Sequence, residues 1–193
     1  MSTTKRLALP VPFTHTDQGA LAQLFWILVF GAATAAGARI EIPHQPVPYT
    51  LQTLAVLLAG AFLGPRNGAV SQIAYLCAGV LGAPVFAGGG FGLARILGPT
   101  GGYLLAFPIA AAVVGYILQS RRGLAWSFVA MTAGLIVIFS AGTVQLNAVL
   151  FHDWAEAFKG GFMIFSWWDL LKLSAAAMTY HEFSKRYPRV PVE

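Results

Sequence analysis

Long apolar segments recur along this chain and constrain its fold more than any other feature. Six such segments, separated by clusters of proline, glycine or charge, lie at about residues 21–38, 50–64, 69–82, 101–119, 124–150 and 162–182. A helix perpendicular to a bilayer needs about 20 apolar residues to cross its roughly 30 Å hydrocarbon layer. The second and third segments are shorter, so they must tilt, recruit flanking residues or pack against neighbours. The pattern predicts an all-α bundle of six transmembrane helices.

The composition supports a membrane location. Of the 193 residues, 57% are hydrophobic and only 10% are charged, and the mean hydropathy is +0.68. A soluble domain of this length needs more polar residues to cover its core. Because no linker and no internal repeat divides the chain, we expect residues 1–193 to form one integral membrane domain with short tails at about 1–19 and 184–193.

The basic residues predict how the helices are oriented. When successive connections are placed on alternate sides of a membrane, eight of the twelve Lys and Arg residues fall on one side: Lys5, Arg6, Arg66, Arg121, Arg122, Lys185, Arg186 and Arg189. The other side receives Arg39, Arg95 and Lys159. Cytoplasmic connections are enriched in Lys and Arg, so both termini are expected in the cytoplasm. The cations are dispersed and lack interleaved aromatic residues, which argues against a nucleic-acid partner.

Two connections on the predicted outer side are unusual. The first, ARIEIPHQPVPYT, contains three prolines, which fix φ and remove backbone donors, so a stiff extended segment is expected. The second, APVFAGGGFGLARILGPTGGY, contains seven glycines between Gly88 and Gly102. Such a loop is compatible with a plain surface turn and with close approach of the backbone to a ligand.

The last apolar segment carries two charges, Asp169 and Lys172, within SWWDLLKLSAAAM. A charge inside a span costs about 2.5–3.5 kcal/mol on insertion scales, so it usually faces a partner or a cavity. Ser166 and Asp169 have the spacing of a capping box, which predicts a helix start near Ser166. The i, i+3 spacing places both charges on one helical face. They form either a neutralising packing pair or an acceptor and a donor for a small ligand, with the amides of Gln145 and Asn147 near the same cavity.

Motifs of other function classes are absent from the sequence. There is no G-x-x-x-x-G-K-[ST] motif, so this chain is not expected to hydrolyse ATP, and GGGFG lacks the context of a dinucleotide site. The four histidines have no metal-ligand spacing, and the single cysteine, Cys77, lies in an apolar run. Neither a nucleophile elbow nor a pair of catalytic carboxylates is present. The sequence therefore predicts no enzyme, no metal site and no cofactor.

Four stretches occur together in the sequence: PVPYTLQTLAVLLAGAFLGPRNGAVSQIAYL, LGAPVFAGG, LGPTGGYLLAFPIAA and the D-x-x-K of WWDLLKLSAAA. In combination, across about residues 21–182, they resemble the BioY family, the biotin-specific substrate-binding (S) components of energy-coupling factor (ECF) transporters. The resemblance implies a six-helix protein of the bacterial cell membrane whose outward-facing pocket binds biotin. It further implies that import needs a transmembrane T component and two ABC-type ATPases, which would hydrolyse the ATP.

The resemblance also implies roles for particular residues. The D-x-x-K motif of the family supplies biotin contacts, which here corresponds to Asp169 and Lys172. Small residues of the first helix contact the T component, which here corresponds to Ala32 and Ala36. From the chemistry of biotin, we expect Asp169 to accept from a ureido N–H and Lys172 to donate to the ureido oxygen. Arg95, or a backbone turn in the glycine-rich loop, is a candidate partner for the carboxylate.

Aromatic side chains are candidates to cover the bicyclic body of the ligand. They are Tyr49, Phe86, Phe91 and Trp168. Membrane lipid is expected to surround the helices, and self-association of the chain when alone is left open.

Two other function classes fit the same residues. In a self-sufficient carrier, Asp169 and Lys172 would cycle protons, and uptake by cells that express this chain alone would stop when an uncoupler is added. In a purely structural membrane protein the charged pair would only stabilise packing, and no vitamin would bind.

Overall fold

The structure is a computed structural model that describes residues 19–163 and 167–186. These residues form seven α-helices: α1 (Ala20–Arg39), α2 (Gln52–Val80), α3 (Leu93–Leu97), α4 (Gly101–Ser120), α5 (Leu124–Leu146), α6 (Trp154–Ala157) and α7 (Trp167–Arg186). A 3-10 turn lies at Ala87–Gly89, and π-helical turns lie at Asn147–Phe151 and Phe158–Phe162. Two short strands are β1 (Glu41–Ile42) and β2 (Tyr49–Thr50). The prediction of an all-α bundle is confirmed.

Four helices in the described part of the chain are long and apolar enough to cross a membrane. They are α1, α2, α4 and the continuous helical stretch Leu124–Phe151, which begins with α5. The last helix, α7, is not among them, and it contains the charged residues of two ion pairs, Asp169–Lys172 and Glu182–Lys185. The predicted helix start at Ser166 lies outside the described residues.

α2 contains two of the predicted apolar segments, which are joined at a sharp reversal. Gly64 has a positive φ of 81° with ψ −178°, a conformation that glycine adopts readily. Pro65 follows it and has no backbone N–H to donate to the preceding turn of helix. A Cβ on Gly68 would lie 2.9 Å from the Cα of Gly60. Eight residues of continuous helix would separate these positions by about 12 Å. The two halves of α2 therefore fold back on each other.

α4 lies at the centre of the bundle, between α2 and α5. A Cβ on Gly60 of α2 would overlap the backbone oxygen of Ala111, and one on Gly102 of α4 would overlap that of Ala141 in α5. The helices therefore meet at backbone contact. Close approach through small residues increases van der Waals contact, which is a main source of helix association in lipid.

Both unusual connections lie at the end of the bundle where α2, α4 and α7 begin. β1 and β2 pair antiparallel, with Glu41 opposite Thr50 and Ile42 opposite Tyr49. The proline-rich connection therefore contains the predicted extended backbone, but it forms a β-hairpin, which was not predicted, and its Gln45–Pro46 peptide bond is cis. The glycine-rich connection includes the short helix α3, which the sequence reasoning did not predict.

Candidate ligand-binding site

The two charges of the last apolar segment lie in the first turns of α7 and face the interior. Asp169 Oδ1 and Lys172 Nζ are 2.7 Å apart, and the side chains are only 2% and 4% exposed. The ammonium group also donates to the backbone oxygen of Thr50 at 3.0 Å. These contacts compensate for part of the cost of burying two charges. We call Asp169 and Lys172 the charged pair.

A cavity lies beside the charged pair. Its empty volume is about 720 Å³, counted with the part that opens to solvent. Rings from four parts of the chain line it: Tyr49, Phe86, Tyr103, Phe107 and Phe139. The cavity thus combines mainly apolar walls with a buried charged group, the arrangement expected of a selective small-molecule site.

A chain of hydrogen bonds connects the charged pair to both outer loops. Thr50, whose backbone oxygen accepts from Lys172, donates through Oγ1 to Gln52 Oε1 at 3.0 Å. Gln52 Nε2 donates to the hydroxyl of Tyr75, which in turn donates to the backbone oxygen of Val85 at 3.3 Å. Thr50 belongs to the first loop and Val85 to the second, so one polar network holds both loops on the bundle.

Five predicted ligand contacts come together at this cavity. Asp169, Lys172, Arg95, Tyr49 and Phe86 all line it. Phe86 is fully buried and packs edge-on against Tyr75, with ring centroids 5.6 Å apart. Arg95, in contrast, is exposed, so the lining has a deep charged end and a cationic group near solvent.

Three other predicted ligand contacts do not line the cavity. Phe91 is exposed, and Trp168 packs edge-on against Trp167, with ring centroids 5.7 Å apart. Asn147 begins the π-helical turn after α5, and its Oδ1 is buried without a hydrogen-bond partner among the described residues. Whether a residue reaches the cavity depends on the rotation of its helix about its axis and on the conformation of its loop, and the spacing of residues in the sequence specifies neither. Their role as ligand contacts stays a prediction that this geometry does not support.

The Gln145 amide also has a different place from the predicted one. Its Nε2 donates to the backbone oxygens of Ile96 at 2.8 Å and Gly98 at 2.7 Å. The amide therefore provides hydrogen-bond donors for backbone oxygens at the C-terminal end of α3, and Gln145 does not line the cavity. The backbone oxygens at a helix C-terminus lack helical partners, which explains why an amide is needed there.

Sequence reasoning missed several polar residues of the site. Gln52 and Thr53 line the cavity from the start of α2, and Tyr75 holds Gln52 in place. The signal was present in the sequence, because Gln52 and Thr53 interrupt an apolar run and polar side chains within spans usually face protein or a cavity. Among the described residues, no group of three His, Cys, Asp or Glu side chains could hold a metal ion.

The glycine-rich loop lies against two guanidinium groups. Arg39 Nη2 donates to the backbone oxygen of Pro84, and a Cβ on Gly90 would overlap the guanidinium of Arg95. The absence of a side chain at Gly90 leaves room for the guanidinium of Arg95 to cross the loop. The loop positions a cation beside the cavity and is more than a plain surface turn.

The fold and the cavity define a helical membrane protein with a buried charged pair beside a mainly apolar cavity. A protein-family model described as the BioY family matches residues 5–189. The chain belongs to the BioY family, which confirms the resemblance read from the sequence.

Similar proteins agree with this membership. The chain is 39% identical over 156 residues to the biotin transporter BioY of Thermotoga maritima, covering 81% of this chain and 92% of that protein. It is 41% identical over 152 residues to the probable biotin transporter BioY of Pyrococcus horikoshii, covering 79% and 90%. These relatives are named as transporters and not as enzymes, as the sequence predicted.

A solved structure has the same fold. The crystal structure of the S-component for biotin from an ECF-type ABC transporter matches with a TM-score of 0.80, covering 92% of this chain and 97% of that chain. The sequence identity is 22%, so this likeness bears on the fold alone.

Proposed function

We propose that this chain is the biotin-binding subunit of an ECF-type importer, which delivers biotin by means of an ATP-driven coupling module. The observation that carries the proposal is the buried Asp169–Lys172 pair on the wall of a mainly apolar cavity. Membership of the BioY family, and relatives named as biotin transporters, support biotin as the ligand.

The chemistry of biotin suits the groups that line the cavity. Its ureido ring offers two N–H donors and a carbonyl acceptor, so Asp169 accepts from one N–H and Lys172 donates to the oxygen through charge-assisted bonds. Two of the three N–H bonds of Lys172 have partners in the described residues, Asp169 and the Thr50 backbone oxygen. The third is available to the ligand. Arg95 meets the carboxylate near solvent, and no cofactor takes part.

We further propose six membrane passes, formed by α1, the two halves of α2, α4, α5 and α7. The reversal at Gly64 supports two passes within α2. Arg66, Arg121 and Arg122 lie in the two connections at the end of the bundle opposite to the cavity. By the positive-inside rule this end is cytoplasmic, which puts both termini in the cytoplasm of a bacterial cell and the cavity on the outer side.

The exposed face of α1 is the proposed contact with the T component. Ala32 and Ala36 are exposed, whereas Gly31 and Gly37 are buried. A Cβ on Gly31 would lie 3.2 Å from the backbone oxygen of Ser71 in α2, so the buried side of α1 packs internally. Small exposed residues allow another helix to approach closely in lipid. Two ATPases would supply the ATP hydrolysis for which this chain has no motif.

A biotin titration of the purified, detergent-solubilised protein tests the binding function. We expect saturable binding that weakens at least tenfold, about 1.4 kcal/mol, in Asp169→Asn and Lys172→Ala. Absence of binding by a folded parent protein would overturn the proposal.

Uptake measurements test the need for partners. We expect biotin uptake only in cells that also express the T component and both ATPases. Uptake by this chain alone that an uncoupler abolishes would instead identify a self-sufficient carrier.

A further inference from the structure

Thr53 differs from the other polar side chains at the start of α2. It lines the cavity, and its Oγ1 is buried without a hydrogen-bond partner among the described residues. Its neighbours Thr50 and Gln52 bond to each other and to the network described above. Buried hydroxyl groups in folded proteins nearly always have a partner. An unpaired hydroxyl in the wall of a binding cavity therefore points to a partner on the ligand.

The position of Thr53 indicates which part of the ligand it meets. Thr53 follows Thr50 by three residues, which span at most about 10 Å of chain, and the Thr50 backbone oxygen lies 3.0 Å from Lys172 Nζ. The Thr53 hydroxyl therefore belongs to the same buried end of the cavity as the charged pair. Arg95, the candidate partner for the carboxylate, is exposed. The ureido ring, and not the carboxylate, is the part of biotin that reaches this end.

The ureido ring needs more than one acceptor. In a five-membered cyclic urea the two N–H bonds point away from each other on opposite sides of the carbonyl group. One carboxylate therefore cannot accept from both, and Asp169 serves only one of them. A buried N–H group without an acceptor is rarer in proteins than an incompletely satisfied carbonyl oxygen, so the second N–H requires a separate acceptor.

We propose that the Thr53 hydroxyl accepts a hydrogen bond from the second ureido N–H of biotin and helps the site to select this ligand. The inference rests on the proposed biotin-binding function. A ring analogue that lacks this N–H leaves the hydroxyl unpaired in the complex. A site built around hydrogen bonds rejects such an analogue more strongly than an apolar pocket does.

The test compares Thr53→Val, which keeps the shape but removes the hydroxyl, with Thr53→Ser, which keeps the hydroxyl. Each purified protein is titrated with biotin and with desthiobiotin, which retains the ureido group but lacks the ring sulfur. We expect Thr53→Val to bind both ligands roughly tenfold more weakly and Thr53→Ser to stay within about threefold of the parent, as for loss and retention of one hydrogen bond. Without ligand, Thr53→Val should unfold at a temperature no lower than the parent, because it removes an unpaired buried hydroxyl.

Each other result would overturn the inference. Unchanged affinity in Thr53→Val would exclude a contact, and a loss for biotin but not for desthiobiotin would assign the hydroxyl to the sulfur. Weaker binding with a lower unfolding temperature, unrestored by Thr53→Ser, would indicate a structural role. Failure of the proposed function looks different, because the folded parent would then not bind biotin at all.

Discussion

Removal of the charges from α7 separates their contribution to stability from their contribution to binding. Lys172→Met leaves a buried carboxylate, Asp169→Asn leaves a buried ammonium, and the double variant leaves neither. Breaking a buried ion pair by removing one partner costs about 3–5 kcal/mol, whereas replacing both with well-packed neutral groups is often neutral or stabilising. Asp169 Oδ1 and Lys172 Nζ are 2.7 Å apart and neither side chain is more than 4% exposed, so the two residues form a buried ion pair of this kind.

The expected magnitudes follow from this geometry. For a chain of about this length, 1 kcal/mol shifts the unfolding temperature by about 2–4 °C, so each single variant should unfold about 6–20 °C below the parent. The double variant should recover most of this loss. Its affinity for biotin should nevertheless fall by about 10-fold to 150-fold, because a hydrogen bond to a charged group contributes about 1.5–3 kcal/mol.

Thermal unfolding in detergent and biotin titration measure the two effects on the same samples. The matched control is the exposed pair Glu182–Lys185, which has the same i, i+3 spacing and the same 2.7 Å length but side chains 68% and 53% exposed. Lys185→Met should change stability by less than about 1 kcal/mol and leave binding unchanged. A double variant as stable as the parent that still binds biotin tightly would refute the reasoning, because the pair would then serve packing alone.

Three further substitutions test the surroundings of the site. Tyr75→Phe removes the acceptor of the buried Gln52 amide, so stability should fall by about 1–3 kcal/mol, measured by thermal unfolding, and biotin affinity should fall with it. Gly60→Ala introduces a Cβ that overlaps the Ala111 backbone oxygen, which should cost about 1–3 kcal/mol of stability in the same assay. In parallel titrations, Arg95→Ala should lower the affinity for biotin several-fold but leave the affinity for biotinamide, which has no carboxylate, unchanged.

Each of these substitutions has a control or a contrary result. Tyr116 is 69% exposed on α4, so Tyr116→Phe should not change stability. If Tyr75→Phe changed stability no more than Tyr116→Phe does, the hydrogen-bond network would not contribute to stability. A Cβ on Gly19 would meet nothing within 4 Å, so Gly19→Ala should be tolerated where Gly60→Ala is not. If Arg95→Ala weakened biotin and biotinamide alike, the arginine would act on the loop and not on the carboxylate.

The features predicted correctly from the sequence are those dictated by hydropathy and backbone chemistry. Apolar patterning predicted the all-α bundle, and the break between the segments 50–64 and 69–82 falls at Gly64–Pro65, where the structure has the reversal inside α2. The cost of burying charge in a span singled out Asp169 and Lys172 before any fold was known. These inferences depend on local chemistry, which a single sequence contains.

The remaining features depend on rotation of helices and on loop conformation. Gln145 and Asn147 are two residues apart at the end of α5, and one secures α3 while the other begins a π-helical turn. Phe91 and Trp168 are aromatic residues next to segments that line the cavity, but neither lines it. Composition identifies such residues as candidates, and only the packing of helices decides which of them reach the cavity.

The hydrogen-bond network gives the charged pair a role beyond direct contact with a ligand. Lys172 holds the backbone oxygen of Thr50, and Thr50 is bonded through Gln52 and Tyr75 to the backbone of Val85. The proposed ligand bond to the third N–H of Lys172 leaves the bond to Thr50 in place and joins the ligand to the network that holds both loops. In the proposed complex, ligand binding and the anchoring of the loops are therefore linked through one side chain. An apolar pair in place of the charges would preserve the bundle but remove this link, which is a physical reason for a membrane protein to keep an expensive ion pair beside its cavity.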